Sequence, residues 1–210
     1  KLLEYDIVLA DETRLQVHNE PGRENTQQSY MWVYKGGPID KPVILYQYAD
    51  SRRAQVPVDF LYPESVTQPE HALTLMTDGY SGYNALSKKQ GIKHHAACWA
   101  HARRKFVEAS QGRKNTAAAH QMVALIGKLY QIERDTKGLT VDERKQIRQE
   151  KAKPILDKIK IWMDDKAGKV LPKSLLGKAI YYTLGLWPNL TIYLEDGTIP
   201  IDNNPAENAI

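Results

Sequence analysis

Residues Tyr5 to His18 read YDIVLADETRLQVH, an apolar run, Ile7-Val8-Leu9-Ala10, that passes directly into the carboxylates Asp11 and Glu12 and then into alternating polar and apolar residues. The run and the alternation predict a β-strand. Asp11 sits at the end of its apolar part, where a charge must be solvated, paired or metal-bound, because an isolated buried carboxylate is too costly. A turn or strand-end role is the ordinary alternative for such an Asp.

Outward from this strand, Ser29 to Tyr34 (SYMWVY) and Val43 to Ala49 (VILYQYA) predict two more, set off by Gly22 and by Gly36-Gly37-Pro38. Three consecutive strands with short connections make an antiparallel meander. Ala54 to Leu61 predicts a short helix, and Ala72 to Met76 a fourth strand closed by Asp78-Gly79. Ser81 to Lys88 predicts a helix, His94 to Trp99 a fifth strand, and Ala100 to Glu108 a basic helix. The order is βββαβαβα, an α/β chain with a mixed sheet. If the first strand pairs in parallel with the fourth, Asp11 and Asp78 come side by side, and hard divalent cations such as Mg²⁺ or Mn²⁺ are the natural remedy for their repulsion.

Beyond about residue 108 no strand is expected for some eighty residues. Met122, Leu125, Ile126, Leu129 and Tyr130 fall at helical spacing, as do Ile155, Ile159, Trp162 and Met163, and again Leu176, Ala179, Ile180, Thr183, Leu184 and Trp187. Three amphipathic helices are expected, the last started by Ser174 and stopped by Pro188. These stripes read as core packing. Residues 103–178 hold 19 Lys and Arg against 9 Asp and Glu, a balance of +10, while the rest of the chain holds 10 against 16, or −6. A basic helical part beside an acidic strand-rich part suits a polyanionic partner, although a solvated helix face would carry the same charges.

The composition excludes other classes. Of 210 residues, 42% are hydrophobic and 26% charged, with 13 Gly and 11 Pro and a net charge of +4, the profile of a globular protein rather than a disordered or fibrous one. The single Cys98 rules out an internal disulfide framework. With His101 it makes at most half of a zinc site, whose remaining ligands would have to come from residues such as His94, His95 or His120. No apolar run approaches the roughly 18 residues of a membrane span, and Glu4 and Asp6 interrupt the opening stretch as a signal peptide. A cytoplasmic protein with no membrane partner is expected. The chain opens on Lys1, and a helix start at Asn204-Pro205-Ala206-Glu207 falls just before it stops, so a fragment is expected. With Asn204 as N-cap, Glu207 at the third helical position could complete a capping box. Asp202 reads as a turn residue or a further candidate ligand.

Four blocks carry a resemblance: Ala10-Asp11-Glu12-Thr13, Thr77-Asp78-Gly79-Tyr80, Cys98-Trp99-Ala100-His101-Ala102-Arg103-Arg104-Lys105-Phe106, and Asp202-Asn203-Asn204-Pro205-Ala206-Glu207-Asn208-Ala209-Ile210. In this order, across essentially the whole chain, they resemble the signature blocks of the bacterial insertion-sequence transposases of family sixty-six. The resemblance implies a DDE transposase catalytic domain of ribonuclease-H-like fold, interrupted by a helical insertion before its last carboxylate. Core segments 1–108 and 195–210 would flank an insertion at 109–194. It places the family's catalytic, metal-binding carboxylates on Asp11, Asp78 and Glu207, which are 67 and 129 residues apart. It implies a Mg²⁺ or Mn²⁺ cofactor, DNA ends and target DNA as partners, a homo-oligomer in the full-length protein, and nucleoid association. His101, Arg103, Arg104 and Lys105 are the expected contacts to DNA phosphate. A non-catalytic DNA-binding or assembly module, or another nuclease of the same fold, remains open as an alternative.

Overall fold

The computed structural model describes residues 2–38, 40–64, 71–112 and 116–209, so Lys1 and Ile210, the last residue of the fourth block, lie outside the described residues. Two compact units divide the chain, one formed by residues 1–96 with 203–210 and the other by 97–202.

The first unit is built on a five-stranded mixed sheet in the order β3-β2-β1-β4-β5, the arrangement of a ribonuclease-H-like α/β fold. β1 (Ile7–Gln16), β2 (Gln28–Gly36) and β3 (Val43–Ala49) form the meander, and β4 (Leu73–Thr77) joins β1 in parallel on its other side. β5 (Ile92–Ala97) flanks β4. β1 is therefore central, which is why its apolar run is buried from Val8 to Ala10 and why all five residues of β4 are buried. Val8 and Ala10 point to the same face as Trp32 and Tyr34 of β2, and this face packs with Val58 and Leu61 of α1 (Gln55–Leu61), Tyr83 and Leu86.

Between β4 and β5 the sequence predicts a helix over Ser81 to Lys88. The chain forms instead two 3₁₀ turns, Ser81–Asn84 and Leu86–Lys88. The two fully buried side chains there, Tyr83 and Leu86, are three residues apart, a spacing that a 3₁₀ turn satisfies as well as an α-helix does. The strand-rich unit is completed from the far end of the chain by α8 (Asn204–Glu207), which packs on β1 and β2. Asn203 Nδ2 donates to the Ala10 carbonyl at 3.0 Å, and Lys35 Nζ to the Pro205 carbonyl at 3.0 Å. Asn203, not Asn204, is the N-cap, and it makes no side-chain capping bond, so the expected capping box does not form.

The second unit contains α2 (Trp99–Ser110), α3 (Thr116–Asp135), α4 (Val141–Ile147), α5 (Lys153–Ala167), α6 (Leu175–Gly185) and α7 (Trp187–Thr191). The expected stripes are its core: Met122, Ile126, Ile159, Met163, Ala179 and Ile180 are all fully buried. Ser174 caps α6, accepting from the Gly177 amide at 3.1 Å. Pro188 does more than stop that helix, because it lies in the first turn of α7, where its missing N–H costs nothing. α4, which no apolar stripe announces, is started by a Thr140–Glu143 capping box. A π-helical turn over Arg148–Ala152 follows it. There the buried Arg148 guanidinium donates to both oxygens of Glu133, at 2.9 and 2.7 Å, and to the carbonyls of Tyr193 and Asp196, each at 2.8 Å. The unit's two ends meet, since the Trp99 amide donates to the Ile201 carbonyl at 3.1 Å. No helix among the described residues is long and apolar enough to cross a membrane.

Candidate functional site

The β1–β4 register pairs Ile7 with Thr74, Val8 with Leu75 and Leu9 with Met76. Two residues beyond the last of these pairs stand Asp11, still in β1, and Asp78, just past the end of β4. The apolar residues of both strands fix that register, because a slip by one residue would turn every buried side chain to the wrong face. Asp78 follows β4 in a tight turn. Its Oδ1 accepts the Tyr80 amide at 2.7 Å, and Gly79 between them has φ +87°, a conformation that favours glycine. Glu207, at the end of α8, is near enough for its charge to act on Asp11.

Asp11 is only 8% exposed and accepts the Glu12 amide at 2.9 Å. Burial pushes its carboxyl up to about 7 against the lowering effect of that amide, and the charges of Asp78, Glu12 and Glu207 add to the rise. The three carboxylates from β1, β4 and α8 thus share one electrostatic environment, although 67 and 129 residues separate them. All donors are oxygens, and the carboxyl at their centre is held back from ionising by burial and by like charge. This donor set fits a hard divalent cation, which would offset the repulsion and take oxygen ligands.

Other side chains complete the site. Glu12 lies on the opposite face of β1 from Asp11, and burial raises its pKa too. Its Oε2 accepts the Tyr83 hydroxyl at 2.5 Å, and its Oε1 accepts Arg52 Nε at 2.5 Å while pairing with Arg52 Nη2. Arg52 Nη2 is also 3.8 Å from Asp78 Oδ2. Thr77 shares a hydrogen bond with His95 Nε2 at 2.9 Å, and burial holds the His95 pKa below its usual value. Sequence patterns do not single out Arg52 or Tyr83, and they offer His95 only as a possible ligand of a zinc site with Cys98. Glu12 was marked only by its place beside Asp11, and strand alternation alone sends it to the other face.

The remaining expected residues belong to the helical unit. His101, Arg103, Arg104 and Lys105 occupy the first two turns of α2. Arg103 and Arg104 are exposed, and Lys105 Nζ lies 4.5 Å from the centre of the Tyr182 ring. Cys98 is buried at the start of that helix, and the buried Asp202 acts electrostatically on Tyr130.

Comparison with known proteins places the chain. It is 32% identical to a protein of Sinorhizobium fredii (strain NBRC 101917 / NGR234) described as "Uncharacterized protein y4jD", over 97% of this chain and 40% of that one. A second protein of the same strain, "Uncharacterized protein y4qI", is also 32% identical, over 100% of this chain and 39% of the other. The chain thus spans about two fifths of the length of the curated relatives it matches. No solved structure matches it. The family described as "Transposase IS66 family" matches residues 1–210, the whole chain, and the chain belongs to this family of transposases.

Proposed function

We propose that this chain is the catalytic domain of a DDE transposase that cuts phosphodiester bonds at insertion-sequence ends and joins them to target DNA, with Asp11, Asp78 and Glu207 as its metal-binding carboxylates. The observation that carries the reading is the burial of Asp11 on the central strand, where it accepts a single amide, is paired with no cation among the described residues, and feels the charges of Asp78, Glu12 and Glu207. A structural carboxylate is normally paired with a cation, whereas this one is set among others of its own sign.

When bound, two Mg²⁺ or Mn²⁺ ions supply Lewis acidity for in-line displacement at phosphorus, activating the attacking oxygen and stabilising the leaving one. The chain's own part is positioning. β1 and β4 hold Asp11 and Asp78 in register, the Tyr80 amide fixes one oxygen of Asp78, and the Asn203 side chain anchors the chain just before α8 to the Ala10 carbonyl, one residue from Asp11. No covalent protein intermediate is required. His101, Arg103, Arg104 and Lys105 on α2 hold DNA by its phosphates, positioning it without reading bases. The helical segment, expected at 109–194, is an insertion into the catalytic core, and the full-length protein acts as a homo-oligomer.

The test is metal-dependent strand cleavage by the full-length protein on a duplex carrying its insertion-sequence end, beside the Asp11→Asn, Asp78→Asn and Glu207→Gln variants. Each variant should bind the duplex and fail to cut it. Cleavage by all three at the parent rate would leave a DNA-binding module without this chemistry.

A further inference from the structure

Resting on that reading, we propose that Arg52 is a DNA-contacting residue of the carboxylate site, whose guanidinium receives a backbone phosphate beside the one attacked. Arg52 lies in the loop between β3 and α1, 40 residues from Glu12 in sequence. Besides the 3.8 Å approach of Nη2 to Asp78 Oδ2, three contacts hold the residue in place. Glu12 takes Nε and Nη2, the Tyr80 ring lies under the guanidinium with 3.6 Å from Cζ to the ring centre, and the Tyr80 hydroxyl donates to the Arg52 carbonyl at 3.0 Å. The ring needs the space Gly82 leaves, since a Cβ there would come within 2.2 Å of it.

An ion pair to Glu12 alone would be served by lysine. The stacked ring and the two-nitrogen grip on Glu12 require the flat fork of arginine, and they spend only part of it. Nη1 has no hydrogen-bond or ion-pair partner among the described residues, and the side chain is 34% exposed. The outcome is an oriented, partly solvated pair of N–H donors at the rim of a site rich in negative charge. A guanidinium edge so held matches phosphate oxygens, and its ordering cost is met before DNA arrives. Glu12 is then a positioning residue for Arg52, with its oxygens engaged by Arg52 and by the Tyr83 hydroxyl.

The experiment places single methylphosphonates, each removing one phosphate charge, along the cleaved strand of the end duplex. It measures binding to the full-length protein in Ca²⁺. The parent should lose about tenfold in affinity at one position next to the scissile phosphate, the size of a charge-assisted contact. Arg52→Gln should bind the unmodified duplex about tenfold more weakly and be insensitive to modification at that position. Arg52→Lys, which keeps the charge beside Glu12, guards against a folding failure and should show the same position with a reduced loss. Losses from Arg52→Gln and methylphosphonate that multiply at every position would overturn the proposal. So would an Arg52→Lys protein with the parent's full profile, if Arg52→Gln does not fold. The carboxylate reading is judged separately on the same duplex, by whether Asp78→Asn still cuts. The binding cycle decides Arg52 either way.

Discussion

Asp11 in β1 and Arg148 in the π-helical turn are both buried charges, and their surroundings treat them in opposite ways. Arg148 meets a carboxylate with both oxygens and two backbone carbonyls, so four donor–acceptor contacts offset its desolvation. Asp11 receives one amide, meets no ion-pair partner among the described residues, and lies near three other carboxylates. A completed network of the first kind is what a stable interior requires. An incomplete one of the second kind persists where something outside the chain completes it, which is the signature expected of a binding site.

The largest effect should come from Asp78→Asn, which removes one charge of the proposed metal site at nearly constant shape. Metal-dependent cleavage in the full-length protein should fall by about 10³-fold or more, the equivalent of the several kcal/mol such ions supply, while gel-shift affinity for DNA is retained. Full cleavage activity would erase the functional side of the contrast. Arg148→Met attacks the other side. It leaves Glu133 and two buried carbonyls without their donor, and urea denaturation should register a loss of about 3–5 kcal/mol. A loss below about 1 kcal/mol would mean the network is no better than a surface pair.

Asp11→Asn should have the reverse sign. The folded carboxyl ionises near 7 against 3.8 for the unfolded reference, so its contribution to stability is complete below about pH 4 and is lost as pH rises through 7. Above that, the metal-free protein holds a charge it would rather protonate, and Asp11→Asn should be more stable than the parent by about 2–4 kcal/mol at pH 8, with no difference of that sign at pH 4. Thermal melts at the two pH values, in chelator, check it. A parent that is the more stable at pH 8 would place Asp11 with Arg148 among the satisfied charges. The smallest effect belongs to the exposed cations of α2. Replacing Arg103 and Arg104 together with Ala should flatten the slope of log affinity against log salt by about 2 on duplex DNA, for all sequences alike. An unchanged slope would make them surface charge.

What the sequence disclosed follows from how local each signal is. The apolar runs ending in Asp11 and Asp78 announced both strands and, granted a parallel pairing, the neighbouring aspartates. Arg52 was not legible. Nothing in Ser51-Arg52-Arg53 separates it from Arg53, whose side chain is 76% exposed, until the fold brings it to Glu12. α4 buries no residue and so has no stripe, yet its Thr140–Glu143 capping box follows the T-x-x-E pattern that a search for helix starts would catch. Over Ser81 to Lys88 the sequence predicts a helix and the chain makes two 3₁₀ turns, because Tyr83 and Leu86 three apart suit either. The π-helical turn depends on Arg148 finding acceptors near residues 133 and 193–196, which no window around it contains.

The bond from the Trp99 amide to the Ile201 carbonyl bears on the order in which the molecule assembles. Residues 203–209 reach β1 only after a detour of about a hundred residues, and closing so long a flexible loop costs about 4 kcal/mol of chain entropy. A helical unit whose own ends are joined has already met that cost when it folds, and it delivers α8 as if from a short connection. The sheet should then gain its last helix late, and Glu207 with it. During synthesis and refolding the proposed carboxylate cluster should pass through a stage with two members, and competence for chemistry should lag behind formation of the strands by the time the helices need to close their loop.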